Sequence, residues 1–448
     1  MKVSKFGGSS VASAEQLVKV GAIINDDSKR KFIVVSAPGK RFKGDEKITD
    51  LLIQLGESYI SNQPFDNVLD KILTRFSGII NELNISNSVL DDINQTIQSI
   101  LSKQITDERK MDALKSVGED SSAKILSQYL KSLNLNASYL NPKDAGIIVS
   151  NEPGRAQILP QSFEKLYALR ERNEILVIPG FFGYTEDEQL VTFSRGGSDI
   201  TGSIVAAGVK ADLYENFTDV DSVYSVNPQI VQDPIEITSL TYREMRELSY
   251  AGFSVFHDEA LIPAFKENIP VCIKNTNNPT SLGTMIVASK KHDKKCVVGI
   301  ASAAGFCSLY VSKYLMNREV GFGRKLLQIL EDEDISFEHA PSGIDDMSVI
   351  IRESQLTAEK ENSILKRVKE ELNADMVTFH RNLAMIMIVG EGIMSTIGIA
   401  QKATTAITEA DVNIEMINQG SSEVSIMFGI RAEGINRAIQ SLYTAFFE

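Results

Sequence analysis

Short apolar runs alternate with amphipathic stretches over the first part of the chain, up to about residue 286. The run 32–36 (Phe-Ile-Val-Val-Ser) is apolar without alternation, which is typical of a strand covered on both faces by helices. Similar runs lie at 147–149, 175–178 and 211–213, and helical patterns lie between them at 160–171 and 199–209. This alternation predicts a mostly parallel sheet between two layers of helices.

The stretch between residues 50 and 133 has a different, helical pattern. Leu90, Ile93, Ile97 and Leu101 recur at helical spacing among polar residues, and Pro64 is the one interruption. We therefore expect a helical lobe in this part of the chain. The stretch 288–295 is charged and has no periodicity, so it is interpreted as a linker.

An internal repeat follows the linker. Gly321 aligns with Gly398, 77 residues later, and the same offset aligns Asp334 with Asp411 and Glu338 with Glu415. Each copy has the pattern strand, helix, strand, strand, helix; in the first copy these lie at 309–314, 323–333, 335–340, 348–352 and 358–372. A closing strand at 376–380 follows the first copy only. The strand-like segment 297–301 is the candidate to fill the open sheet edge of the second copy.

Composition limits the class of protein. A length of 448 residues suits about two to four domains, and 43% hydrophobic with 23% charged residues is typical of soluble globular chains. The first strand starts directly after Met1, and apolar runs of membrane-spanning length are lacking, so we expect a cytoplasmic protein. A net charge of −13 argues against nucleic acid or anionic membrane as partner. Three cysteines without CxxC spacing predict neither disulfides nor a zinc site.

The first strand ends in a motif suited to phosphate. Lys5 stands at its end, and Gly7-Gly8 allows backbone N–H groups to approach an anion before a helix that opens near Ala12. The alternative is an ordinary glycine turn with Ser9 or Ser10 as helix N-cap. Both interpretations remain open at this point.

A second glycine turn, 194–199, opens the helix at 200–209. Arg195 and two glycines precede Ser198 and Asp199, so a cation and flexible backbone donors lie at a helix N-terminus. A carboxylate or phosphate would bind there. The alternative is N-capping by Ser198 or Asp199 with a solvent-facing arginine. The chain contains neither a P-loop motif nor a dinucleotide fingerprint after its first strand.

Taken together, these motifs resemble one family. The segments 5–10, 118–119, 195–199 and 218–220, with the paired repeat, are similar to the aspartate kinases of the amino acid kinase superfamily. The resemblance implies an α/β fold, with a three-layer sandwich amino acid kinase domain at 1–287. It also implies two ferredoxin-like ACT domains, at 305–382 and 383–448, with the linker and strand 288–304 completing the second.

The resemblance also implies the reaction and the residues that perform it. The γ-phosphoryl group of MgATP would pass to the β-carboxylate of L-aspartate, a group already ionised at neutral pH that needs no general base. By resemblance, the catalytic residues are Lys5, Gly7, Gly8 and Asp199. The substrate-binding residues would be Ser9, Thr49, Glu119, Arg195 and Ser198, with Arg195 on the α-carboxylate and Asp199 on the α-ammonium group. The nucleotide would be bound by Thr218, Asp219 and Tyr224.

Each of these residues also has a simpler interpretation. Thr49 could cap the helix that starts at Asp50, and Glu119 could interact with a helix dipole. Thr218-Asp219 could form only a turn, and Tyr224 could pack in the core.

Two departures from the family pattern concern the nucleotide site. Asn227-Pro-Gln229 replaces the usual Asp-Pro-Arg, and Ser254 stands where many members have lysine. Lys210, Lys274 or Arg243 could compensate for the missing cations.

The regulatory expectation also rests on the resemblance. Met316, Ser336, Phe337 and Glu338 match the region where lysine-inhibited members hold lysine, and threonine acts alone or jointly in others. Glu338 could instead be a solvated strand residue. A homodimer or a dimer of dimers through the ACT domains is expected. The alternative functions are a kinase of another acidic amino acid, such as glutamate, and a non-catalytic amino-acid sensor.

Overall fold

The computed structural model describes residues 1–194, 196–253, 260–290, 296–419 and 424–448. The chain divides into two compact units. The first comprises residues 1–223, 236–246 and 260–290, and the second comprises residues 224–235, 247–253, 296–419 and 424–448. No helix within these described ranges is both long and apolar enough to span a membrane.

The strands up to residue 290 are short and mostly buried. They are β1 (Lys2–Phe6), β2 (Arg30–Val35), β3 (Ala137–Tyr139), β4 (Ile175–Pro179), β5 (Phe182–Tyr184), β6 (Leu190–Thr192), β7 (Leu213–Thr218), β8 (Val223–Tyr224), β9 (Glu236–Ile237), β10 (Ser239–Thr241), β11 (Val271–Asn275) and β12 (Thr284–Val287). The helices in the same part are α1 (Ala14–Asp26), α2 (Ile48–Ile60), α3 (Asp66–Glu82), α4 (Ser88–Ser102), α5 (Asp107–Ser132), α6 (Pro142–Ala145), α7 (Gln161–Ala168), α8 (Gly197–Gly208), α9 (Tyr242–Tyr250) and α10 (Ile262–Lys266).

The first unit is built on an eight-stranded sheet with the order β10-β12-β11-β7-β1-β2-β4-β3. Its neighbouring strands are parallel except for β11 and β12. The predicted α/β class and mostly parallel sheet are therefore confirmed. Helices α2 to α5 form the predicted helical lobe, and their apolar faces share one core with α1 and with β1 and β2.

Alternation along β1 decides which side chains reach the two faces of the sheet. Phe6 pairs with Val35 and Phe217 across the neighbouring strands, and these three side chains belong to the core that contains α1 and α5. Lys5 is one position away, so it points to the opposite face. That face is covered by α8, whose Asp199 contacts Lys5.

Two of the predicted strands in this unit differ from the structure. Residues 148 and 149 form only isolated bridges, and the strand predicted at 211–213 instead runs from Leu213 to Thr218. Because Glu215 and Asn216 are polar, the sequence did not indicate that a buried strand continues through them to Thr218. Their burial is possible because Arg30 donates two hydrogen bonds to Glu215 and Asn216 donates one to Asp199.

The second unit contains a five-stranded antiparallel sheet with the order β14-β13-β15-β17-β16. Its strands are β13 (Gly299–Ser312), β14 (Asp346–Arg352), β15 (Met376–Val389), β16 (Ile414–Asn418) and β17 (Ser425–Arg431). Its helices are α11 (Phe322–Asp332), α12 (Ala358–Glu371), α13 (Ile399–Glu409) and α14 (Ile435–Phe447). The segment predicted to fill an open edge enters β13, where residues 299–301 pair with 387–389 of β15. The domain boundaries themselves remain predictions.

The repeat of 77 residues has a backbone counterpart. Gly321 and Gly398 are the N-caps of α11 and α13, with φ of 83° and 91°. Asp334 and Asp411 follow the same two helices, with φ of 52° and 54°. Left-handed backbone favours glycine and tolerates aspartate, which explains why these residues align.

The strand predicted at 335–340 is wrong. Within the described residues, this segment forms an isolated bridge from His339 to Ile350 rather than a strand, although its counterpart in the second copy is β16. Pro341 follows directly and accepts a hydrogen bond from Ser348 through its carbonyl group. A residue without an N–H group restricts how far a sheet ladder can extend.

Candidate active site

An ion pair between the central strand and helix α8 forms the centre of the site. Lys5 Nζ lies 2.6 Å from Asp199 Oδ1. Asn216, the neighbour of Lys5 on β7, donates a hydrogen bond of 2.5 Å to the same carboxylate oxygen. Lys5 is 6% exposed. A buried cation held by one carboxylate remains available for an anion that enters the site.

Two glycine turns meet backbone to backbone next to this pair. Gly39 N–H donates to Gly8 O at 2.8 Å, and Gly7 N–H donates to Phe217 O at 3.0 Å. A Cβ on Gly39 would lie 2.7 Å from the carbonyl carbon of Gly8, and one on Gly8 would lie 3.1 Å from Ala37 O. Side chains at these two positions would separate the turns, so the close approach requires glycine.

The helix after the first turn starts later than predicted. Residues Gly8–Val11 form a 3₁₀ turn, and α1 begins at Ala14 with Ser13 as N-cap. The alternative that Ser9 or Ser10 caps this helix is therefore wrong. Ser10 is instead buried and hydrogen-bonds Thr276 Oγ1 at 2.7 Å.

The second predicted anion site lies at the start of α8. Gly196 has φ of 75° and precedes the first turn of the helix. A Cβ on Gly197 would lie 2.5 Å from the ring of Phe181, which explains the second glycine. Ser198 is buried and its hydroxyl lies 3.5 Å from Glu119 Oε1. Arg195 lies outside the described residues.

A cavity of about 690 Å³ opens over these groups. Its lining includes four of the predicted site residues, namely Thr49, Glu119, Ser198 and Asp199. The structure therefore brings together residues from α2, α5 and α8, which are far apart in the sequence.

Sequence reasoning missed two cations that line the same cavity, Lys47 and Lys115. Lys115 stands four residues before Glu119 on α5, so both side chains lie on one helix face. That spacing was enough to predict from the sequence that Lys115 lies next to Glu119. Lys47 directly precedes α2 and stands two residues before Thr49, but a charged residue before a helix is too common to be a signal by itself.

Glu119 is the titratable group with the most altered environment in this cavity. It is 5% exposed, and its Oε2 has no hydrogen-bond partner among the described residues. Burial raises the pKa of Glu119 to about 8, despite backbone hydrogen bonds from Ala37 and Glu119, a hydrogen bond from Ser198 and the charge of Lys5. A buried carboxyl group with a spare oxygen in a cavity is a candidate for binding a cationic ligand group.

Replacing Glu119 by glutamine is expected to stabilise the ligand-free protein at alkaline pH. The pKa of Glu119 is 4.5 when unperturbed and about 8 in the fold, so the wild type loses stability between these pH values while the neutral amide does not. The difference in unfolding free energy should be near zero at pH 4 and a few kcal/mol at pH 9. Chemical denaturation of both proteins at these two pH values measures it; a pH-independent difference would contradict the burial of Glu119.

The residues predicted for the nucleotide lie at the ends of strands. Thr218 ends β7, and its hydroxyl lies 3.2 Å from Asp219 Oδ1. Asn275, at the end of the neighbouring strand β11, donates to Asp221 Oδ1 at 2.8 Å. Tyr224 belongs to the second unit, so its relation to Thr218 stays a prediction.

The departures from the family pattern lie partly in described residues. Asn227 accepts a hydrogen bond from the backbone N–H of Gln229 and starts an exposed turn. The following residues Ile230 and Val231 pack on the core of the second unit. Ser254 lies outside the described residues.

The predicted regulatory residues all belong to the second unit. Met316 is buried, Phe337 is 47% exposed, and Ser336 hydrogen-bonds the side chain of Gln355. Glu338 is not a freely solvated residue. Its Oε1 accepts a hydrogen bond of 3.0 Å from Arg352 Nε, and its Oε2 accepts one from the hydroxyl of Tyr250.

Comparison with known proteins agrees with this fold. Residues 1–275 match the family model described as "Amino acid kinase family", and residues 386–446 match an ACT domain. Aspartokinase 3 of Bacillus subtilis is 54% identical over 448 residues, which covers 100% of this chain and 99% of the relative. The chain therefore belongs to the amino acid kinase family and is an aspartate kinase.

Solved structures show the same architecture. Aspartate kinase of Clostridium acetobutylicum superposes with a TM-score of 0.88 at 39% identity, with full coverage of both chains. Escherichia coli aspartokinase III, solved with lysine and aspartate in its T-state, superposes with a TM-score of 0.80 at 24% identity, again over both whole chains. The second likeness shows the fold alone.

Proposed function

We propose that this protein transfers the γ-phosphoryl group of MgATP to the β-carboxylate of L-aspartate and forms 4-phospho-L-aspartate. The observation that carries this proposal is the Lys5–Asp199 pair next to the two glycine turns, because Asp199 also lines the cavity that contains Glu119 and Ser198. This product is the starting point of the aspartate-derived amino acids lysine, threonine and methionine, which is the pathway we propose.

The roles follow from charge and position. Lys5, with the backbone of Gly7 and Gly8, would neutralise charge on the phosphoryl group as it moves, which is the main task in phosphoryl transfer. Asp199 would bind the α-ammonium group of aspartate, and Glu119 would help to hold the substrate. Arg195 would bind its α-carboxylate.

Further side chains would complete the binding of substrate and nucleotide. Ser9, Thr49 and Ser198 would add hydrogen bonds to aspartate. Thr218, Asp219 and Tyr224 would contact the nucleotide. Mg²⁺ would arrive with ATP, since it binds mainly to phosphates and water and needs only one or two protein carboxylates.

ADP release with different acceptors tests this proposal. With MgATP we expect release to depend on L-aspartate. Dependence on L-glutamate or a derivative would favour a kinase of another acidic amino acid, and the absence of release with any acceptor would favour a sensor.

We also propose that lysine inhibits the enzyme through the first repeat. The carboxylate of Glu338 supports this, because the ligand's amine could replace Arg352 or Tyr250 as its partner. An E. coli protein of the same fold was solved with lysine. Threonine, alone or with lysine, is the alternative effector, and the proposed assembly is a dimer or a dimer of dimers through the ACT domains.

Replacing Glu338 by alanine is expected to raise the lysine concentration for half inhibition by about tenfold or more, with little change in uninhibited kcat, because a charge-assisted contact is lost. Glu415→Ala is the matched control, since Glu415 is the equivalent exposed residue of the second copy. Titrations with lysine, threonine and both measure the effect. Inhibition by threonine alone would contradict the lysine assignment, and no response would contradict the regulatory proposal.

A further inference from the structure

A buried arginine from the helical lobe reaches under the glycine turns. Arg75 on α3 is 7% exposed, and its Nη2 donates to the carbonyl oxygens of Gly39 at 2.7 Å and Ala12 at 3.2 Å. Its Nη1 donates to Asp45 Oδ2 at 2.9 Å. One guanidinium group therefore connects three points of the chain next to the active site.

Asp45 holds the other side of this connection. Arg41 donates to its carboxylate from the backbone N–H at 2.9 Å, from Nε at 2.8 Å and from Nη2 at 2.9 Å. These hydrogen bonds from Arg41 and the charge of Arg75 hold the pKa of Asp45 well below its usual range. Asp45 is thus held as the charged partner of Arg75.

The segment 38–49 carries this network into the site. The N–H of Gly39 donates to Gly8 O, so the start of the segment is bound to the first glycine turn. The N–H of Ile48 donates to Pro38 O at 3.1 Å, which joins the two ends of the segment next to Thr49. Movement of Arg75 would shift both.

Stability alone does not account for this pair. A buried ion pair contributes little net stability compared with an apolar replacement, whereas its hydrogen bonds fix direction. The apolar side chains of α3, such as Ile72, Phe76 and Ile79, already anchor the helix in the core.

We propose that Arg75 and Asp45 are positioning residues that hold the segment 38–49, and through it Gly8 and Thr49, in the catalytic arrangement. This inference rests on the proposed function for its kinetic consequence. It assigns no contact with substrate to either residue.

Kinetics of Arg75→Gln and Arg75→Lys test the inference. We expect kcat to fall by about tenfold or more and KM for aspartate to rise, because small displacements of reacting groups are costly. Arg75→Lys should not restore activity, since an ammonium group cannot reproduce the fork of a guanidinium. Arg41→Gln, which removes a 44% exposed side chain, should have a smaller effect.

Lys110→Met is the matched control for lost stability. Lys110 is also a buried cation of the helical lobe, but it binds Leu101 O and the ring of Tyr59 instead of the segment 38–49. At an equal decrease in Tm, it should keep kcat within about twofold, because its contacts lie outside the site. An equal loss of kcat in Lys110→Met, or an unchanged kcat in both Arg75 variants, would overturn the inference.

Hydrogen exchange separates this inference from the proposed function. Backbone amides of Gly39 and Ile48 should exchange about tenfold faster in the Arg75 variants than in wild type or Lys110→Met. This measurement needs no activity, so it remains decisive if wild type phosphorylates no amino acid. Unchanged exchange would mean that Arg75 does not hold the segment.

Discussion

Lys5→Ala is expected to lower kcat by a factor of about 10² or more, because a fixed charge directed at the transferring phosphoryl group acts mainly in the transition state. The side chain lies 2.6 Å from Asp199 and points to the α8 face of the sheet. Its removal leaves the apolar face of β1 unchanged. Steady-state kinetics with saturating ATP and aspartate measure the effect.

Lys2→Ala is the matched control for this prediction. Lys2 is a cation of the same strand, but it pairs with Asp27 and Glu215 away from the cavity. Its replacement should reduce stability without a large change in kcat. If Lys5→Ala retained more than about a tenth of wild-type kcat, Lys5 would have no catalytic role.

Arg195→Lys is expected to raise KM for L-aspartate by about tenfold or more and to change KM for ATP far less. An arginine binds a carboxylate through two parallel hydrogen bonds, and lysine cannot form that geometry. The described neighbours Ser194, Gly196 and Gly197 all line the cavity. Initial rates over a range of both substrates measure the two constants.

Lys115→Met tests whether Lys115, rather than Arg195, binds the α-carboxylate of aspartate. Lys115 lines the same cavity. A large rise of KM for aspartate in Lys115→Met with none in Arg195→Lys would transfer the role to Lys115. A rise of KM for ATP alone in Arg195→Lys would assign Arg195 to the nucleotide.

The sequence predicted the parts of the fold that have local signals. Gly8 and Gly197 are visible in the sequence because a side chain there would crowd neighbouring backbone or a ring, and Gly196, Gly321 and Gly398 are visible because their positive φ favours glycine. Strand alternation places Lys5 opposite Phe6, whereas the helix that covers the Lys5 face, α8, is seen only in the structure.

Features that depend on distant partners were not predictable. The strand β7 was misplaced because Glu215 and Asn216 look exposed until Arg30 and Asp199 are in place. The pair of Arg75 and Asp45 joins two solvent-type residues that are thirty positions apart, and nothing in either local pattern indicates burial. The absence of a strand at 335–340 was not predictable either, because it depends on Pro341 and on how the segment pairs with β14.

Trapping of the product with hydroxylamine tests the central claim most directly. An acyl phosphate reacts with hydroxylamine to give a stable hydroxamate and releases phosphate. With MgATP and L-aspartate we expect the β-hydroxamate of aspartate, identified by mass spectrometry, in an amount equal to the ADP released, and about 10²-fold less or lower from Lys5→Ala in the same time. A hydroxamate formed only from L-glutamate, or ADP released without any hydroxamate, would contradict the account.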